Sequence, residues 1–168
     1  MDEPGTGLAF DPIAEAERNW RAHDWPSPPA MTAVISITRA HQILLRRVDE
    51  VLRPLGLTFA RYEALVLLHF TRAGELPLGK MGARLQVHPA SVTNAVDRLE
   101  TAGYVRRAAH PTDGRTTLAR ITPAGREVVE AATAALGEIR FGAVGLDDEA
   151  ARRVTTELRA MREAAGDF

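Results

Sequence analysis

Residues 88 to 98 join short hydroxyl and amide side chains to a guanidinium at helical spacing: His88, Pro89, Ser91, Thr93, Asn94 and Arg98. Such groups at the start of a helix can hydrogen-bond base edges and phosphates, because the first turn also points its free amides outward. In this reading His88 sits in a turn and Pro89 pre-forms the first helical residue. Ser91, Thr93, Asn94 and Arg98 then face a polyanion while Val92, Val96 and Leu99 face a core. Asn94 is the candidate for a base-edge contact. A second group follows at Asp113-Gly114-Arg115, an Asp-Gly turn whose arginine can enter a minor groove or clamp a phosphate. Asp113 would be repelled by phosphate, so it is expected to orient Arg98 or Arg115 by pairing with it. Arg106, Arg107 and Arg120 are further candidates for phosphate contacts.

Catalytic chemistry finds little to work with. No nucleophile and base, carboxylate pair or phosphate loop occurs at a recognisable spacing, so no enzyme is expected. Gly5-Thr6-Gly7 lacks the third glycine, preceding strand and following helix of a nucleotide loop. The absence of cysteine excludes disulfides, thiolate metal sites and thiol-based sensing. No two histidines stand at i and i+4; a metal site would require His41, His69 and Glu63 to converge, and neither metal nor cofactor is expected. Trp20, His41, Tyr62 and His69 are packing residues or the polar and aromatic walls of a small-molecule pocket.

The elements that would position these residues follow from periodicity. Asp11 and Pro12 open a short helix to about residue 23, and WPSPPA breaks it. Apolar residues at 34, 37, 44, 48, 51 and 55, with His41 on the same face, predict a long amphipathic helix over about 30–55. Thr58 can cap a third helix running to about Arg72, followed by a turn AGELP. LGKMGARL and PASVTNAVDRLETAG form two helices a few residues apart, the second ended by Gly103, which is a helix-turn-helix. YVRRAAH and TTLARI read as two strands joined at Asp113-Gly114, a wing. Thr122-Pro123 opens a helix carrying Val128, Val129, Ala132, Leu136 and Ile139. A last helix, from Asp147 to Ala164, is expected to turn Val154, Leu158 and Met161 inward.

A net charge of −1 conceals segregation: residues 78–126 hold eight Lys or Arg against three acids, +5, and the remainder is −6. A basic module in an acidic frame fits a protein that meets a polyanion with one surface and itself with another. No basic n-region or long apolar run points to export or a membrane, which predicts a cytoplasmic protein.

LQVHPASVTNAVDRLETAGYVRRAAHPTDGRTTLARITPAG resembles the winged-helix core of the MarR family of bacterial regulators. The likeness covers the turn, the recognition helix with VDRLE, the Gly-aromatic-Val-Arg-Arg entry to the wing, Asp113 and Arg115 at its tip, and the Ile-Thr-x-x-Gly exit. Gly82 stands where a small alanine is more usual. The resemblance implies a mainly α fold with a small β-hairpin wing in three parts: N-terminal helices (1–57) for dimerisation and a possible pocket, a DNA-binding domain (58–126), and C-terminal dimerisation helices (127–168). It also implies a homodimer that binds double-stranded DNA at a palindromic operator and responds to a small aromatic or anionic effector, usually as a repressor. An extra N-terminal helix bearing a tryptophan resembles the urate-responsive branch, which implies that Trp20 and Glu63 belong to the ligand site, although that branch has Asp where Glu63 stands. The alternative is a winged-helix module that binds protein without specific DNA binding.

Overall fold

The computed structural model describes residues 8–168, so Gly5-Thr6-Gly7 lies outside the described residues. The chain forms two compact units, one up to Leu44 and one from Leu45 onward. In the first, α1 (Pro12–Ala22) starts where the Asp11 carboxylate accepts from the Ile13 amide at 2.9 Å and Pro12 fills the first turn. Its end is held by Trp20, whose indole N–H donates to the Pro26 carbonyl (2.9 Å) and whose ring meets Trp25 edge-on at 4.7 Å. The long helix α2 (Pro28–Leu52) follows, and Arg53–Leu55 tightens into a 3₁₀ turn because Pro54 cannot continue an α-helix.

The second unit holds the core. α3 (Phe59–His69) is shorter than the expected run to Arg72. Thr58 occupies its N-cap position without a side-chain bond; the Phe59 amide instead donates to the Asp49 carboxylate at 2.8 Å. A cap supplied from α2 ties the two helices together, and no local pattern could announce it. The segment expected to be a turn contains a strand, β1 (Glu75–Pro77), which makes the sheet three-stranded. Three residues carry no period, and Pro77 is tolerated because β1 is an edge strand. α4 (Leu78–Leu85) and α5 (Pro89–Thr101) form the helix-turn-helix, with Gln86 in the left-handed conformation between them.

β2 (Val105–Ala109) and β3 (Thr117–Ile121) pair antiparallel as expected, with Arg106 opposite Arg120, and β3 also pairs with β1 to give the order β1-β3-β2. α6 (Pro123–Glu138) begins where the Thr122 hydroxyl accepts from the Gly125 amide at 3.0 Å. Gly125 lies against the Tyr104 backbone so closely that a Cβ would stand 2.1 Å from its carbonyl oxygen, so only glycine lets α6 pack at the entry to the wing. Gly82 is less demanding: a Cβ there would meet Val87 and Val92 at ordinary contact distance, so an alanine fits the α4 to α5 approach.

Leu52, Leu65, Leu68, Met81, Val96, Leu99 and Leu136 are buried to within 1% of full enclosure and join α2, α3, α4, α5 and α6 into one core. Every fully buried residue there is apolar, which leaves the polar residues of α5 to the surface. α7 (Asp148–Ala164), capped by Asp147 on the Ala150 amide, departs from expectation because it buries none of its residues. Val154 and Met161 are exposed and Leu158 is half-buried, since nothing among the described residues covers that stripe. Val34, Ile35, Ile37 and Ile43 of α2 are exposed as well.

Candidate nucleic-acid interface

α5 owes its two faces to its period. Val92, Val96 and Leu99, at intervals of four and three, are buried, and the other face presents Ser91, Asn94 and Arg98 to solvent with Thr93 beside them. The start of the helix is fixed by His88, whose Nδ1 accepts from the Ala90 amide at 3.1 Å, and by Pro89. His88 is therefore a cap, and its ring is already held. The Thr93 hydroxyl donates back to the Pro89 carbonyl at 3.1 Å, leaving its oxygen available as an acceptor. At the far end the Gly103 amide donates to Glu100 and Tyr104 to Leu99, which closes the helix and turns the chain into β2.

The arginines of the wing divide into engaged and free groups. Arg107 is engaged: its guanidinium pairs with Asp97 and Glu100 of α5, each at 2.6 Å, and its amide donates to Glu100 at 2.8 Å. The amide and then the guanidinium of Arg107 hold the Glu100 carboxyl below its ordinary value. Contrary to expectation, Arg107 spends its charge tying the recognition helix to the sheet. Arg120 does likewise with Glu75 across β3 and β1. Arg98, Arg106 and Arg115 are exposed and form no ion pair among the described residues.

Asp113 corrects a second expectation. It pairs with neither Arg98 nor Arg115; one carboxylate oxygen accepts from the Arg115 amide (3.0 Å) and the other from the Thr116 hydroxyl (2.6 Å). The short aspartate side chain closes the turn on the next residues of its own loop instead of reaching a guanidinium. The Thr116 hydroxyl first, then the Arg115 amide, keep Asp113 below the usual carboxylate range, so the tip is locked while the Arg115 side chain stays free. Lys80 at the start of α4 shares with His110, Asp113 and Arg115 a concavity of about 640 Å³ beneath the tip.

Sequence reasoning missed Arg61. It stands in the first turn of α3 and lines, with Thr58, Ala90, Ser91 and Asn94, a groove of about 450 Å³ beside the recognition helix. Its signal was faint: a cation on a helix read only for its apolar face, whose partners come from a helix far along the chain.

The expected pocket residues are not one group. Trp20 and His41 belong to the first unit, where Trp20 has its N–H satisfied and His41 is exposed on α2. In the second unit Tyr62 and His69 do converge, lining with Val66 of α3 and Val129, Glu130 and Thr133 of α6 a cavity of about 410 Å³. Phe70, 80% exposed, stands at its edge. His69 Nδ1 is buried without a hydrogen-bond partner in the protein, so it offers this wall one polar nitrogen. Glu63 lies on the same helix but does not line the cavity; its carboxyl is raised above the ordinary value because neighbouring protein withdraws water from it.

Residues 55–116 match the MarR family. The fold matches the crystal structure of Sco5413, a MarR family transcriptional regulator from Streptomyces coelicolor, with 56% sequence identity and a TM-score of 0.77 over 83% of this chain and 97% of that one. The transcriptional regulator MOSR of Mycobacterium tuberculosis, solved in complex with DNA, is 25% identical with a TM-score of 0.63, covering 79% of this chain and 97% of that one. The HTH-type transcriptional regulator YhbI of Bacillus subtilis is 29% identical over 116 residues, 69% of this chain and 70% of its own length. With the helix-turn-helix, the wing and a full-length relative in agreement, the chain belongs to the MarR family of transcriptional regulators.

Proposed function

We propose that the protein is a homodimeric, ligand-responsive repressor that places α5 of each subunit in successive major grooves of a palindromic operator, about one helical turn (~34 Å) apart. The observation that carries this reading is the outward row Ser91, Asn94 and Arg98 on α5 together with an unpaired Arg115 on a locked wing tip. Asn94 reads a base edge, Ser91 and Thr93 bind phosphate or base with their hydroxyls, and Arg98, Arg106 and Arg115 neutralise phosphates. His88 and Pro89 set the angle of entry, Asp113 shapes the wing, and Arg107 holds α5 against the sheet. The uncovered apolar stripes of α2 and α7 support a dimer built from the N- and C-terminal helices, with residues 58–126 as its DNA-binding part.

The protein acts by binding and not by catalysis, and works in the cytoplasm; no described helix is long and apolar enough to cross a membrane. The cavity between α3 and α6 serves the effector, which lowers operator affinity only insofar as it prefers the non-binding arrangement of the dimer.

A salt titration on the DNA flanking the protein's own gene tests the proposal. Wild type should show a steep loss of affinity with salt, and Arg115→Ala should lose about 1–3 kcal/mol of operator binding with a shallower slope. Equal affinity of the two proteins at every salt concentration would refute the wing contact; no binding at low salt would refute the operator itself.

A further inference from the structure

The cavity between α3 and α6 has a hydrogen-bonding polarity that can be read from its protons. The Thr133 hydroxyl donates to the Val129 carbonyl one turn back at 2.7 Å, and a hydroxyl has one proton to give. The contact of 2.9 Å between the Tyr62 and Thr133 oxygens is therefore donated by Tyr62. With its proton committed to Thr133, the Tyr62 oxygen offers the cavity only a lone pair. Glu130 adds a carboxylate that makes no ion pair among the described residues, and no lysine or arginine lines the space. The remaining walls are apolar, from Val66, Val129 and the ring of Phe70, except for the His69 imidazole, whose buried Nδ1 has no partner in the protein and can accept from a guest.

We infer that this cavity takes a flat, uncharged or cationic ligand of one or two rings that donates hydrogen bonds through a hydroxyl or amine, and that it rejects carboxylates. The inference rests on the effector reading above and narrows it, removing the anionic class that the family resemblance alone leaves open. A carboxylate placed here meets the Tyr62 lone pair and the Glu130 charge with no lysine or arginine in the wall to offset them. A hydroxyl or amine donates to either. About 410 Å³ lies within the range of small-molecule sites and holds two fused rings.

The test uses the full-length protein and two probes of the same shape, 2-naphthol and 2-naphthoate, titrated calorimetrically at neutral pH with operator binding followed in parallel. Naphthol should bind at least tenfold more tightly than naphthoate. Thr133→Val removes the acceptor of the Tyr62 proton, frees that proton for the cavity, and should bring the ratio to about one or below. Glu130→Gln, an exposed change that leaves the helix intact, should narrow the ratio on its own. Naphthoate binding as tightly as naphthol, a ratio untouched by both substitutions, or no binding of either probe would each overturn the inference. Naphthol binding that leaves operator affinity unchanged would instead support the ligand class while overturning the effector role of the cavity.

Discussion

α3 is a wall shared by two concavities of opposite character. Its first turn gives Arg61 to the groove beside Ser91 and Asn94, and the succeeding turns give Tyr62, Val66 and His69 to the cavity against α6. The groove carries a cation and amide and hydroxyl groups, open to solvent as a polyanion requires. The cavity is lined by apolar side chains, a committed phenol, an imidazole and a carboxylate. Consecutive residues on a helix diverge by about 100°, so Arg61 and Tyr62 can serve different ligands from adjacent positions. The contrast teaches that the proposed guest on the α6 side and the Arg61 groove share one helix, so a guest that shifted α3 would carry Arg61 with it. Coupling between the two ligands then needs no long route through the molecule.

The strongest way to break this contrast is on the DNA side. Asn94→Ala should weaken operator binding by about 1–3 kcal/mol, roughly fivefold to 150-fold, while leaving binding to unrelated DNA unchanged. Competition of the operator against base-pair variants should become flatter in the mutant. An equal loss on specific and random DNA would reduce Asn94 to a backbone contact.

Arg61→Ala sharpens the comparison with a smaller effect. If the groove is part of the phosphate track, its loss lowers affinity several-fold for any sequence and reduces the salt slope by about one. The naphthol titration should be unaffected, because Arg61 does not line the cavity. A change in ligand binding without a change in salt slope would reverse the assignment of that residue.

How far the sequence reached follows the range of the interactions. The recognition helix was legible because its apolar period and its Pro89 start are local, and so was the wing, whose Asp-Gly turn announces itself within a few residues. β1 was hidden because three residues have no period and exist as a strand only through β3. The engagement of Arg107 was hidden for a related reason: its partners Asp97 and Glu100 lie on the preceding helix, and only the fold of α5 onto β2 brings the charges together. The inward face expected for α7 has the opposite origin, since its stripe is real but no surface among the described residues covers it. Tyr62 and His69 were singled out for their chemistry, while Glu130 and Thr133, which decide the polarity of the cavity, stand on α6 among residues that read as an ordinary helix surface.

Glu63 offers the finest test, because it follows Arg61 and Tyr62 on α3 yet lines neither concavity. Its carboxyl is raised by the withdrawal of water, so the folded protein holds that proton more tightly than the unfolded chain does. A raised carboxyl favours folding at low pH and opposes it once pH has risen through the folded value. Glu63→Gln should therefore raise the melting temperature slightly at pH 7, and the gain should fade as the pH falls through the ordinary carboxylate range. Operator and naphthol affinities should stay at wild-type values. A destabilised Glu63→Gln protein at pH 7 would mean that the carboxylate makes a favourable contact in the folded state; weakened naphthol binding would restore Glu63 to the ligand site and end the separation of the two faces of α3.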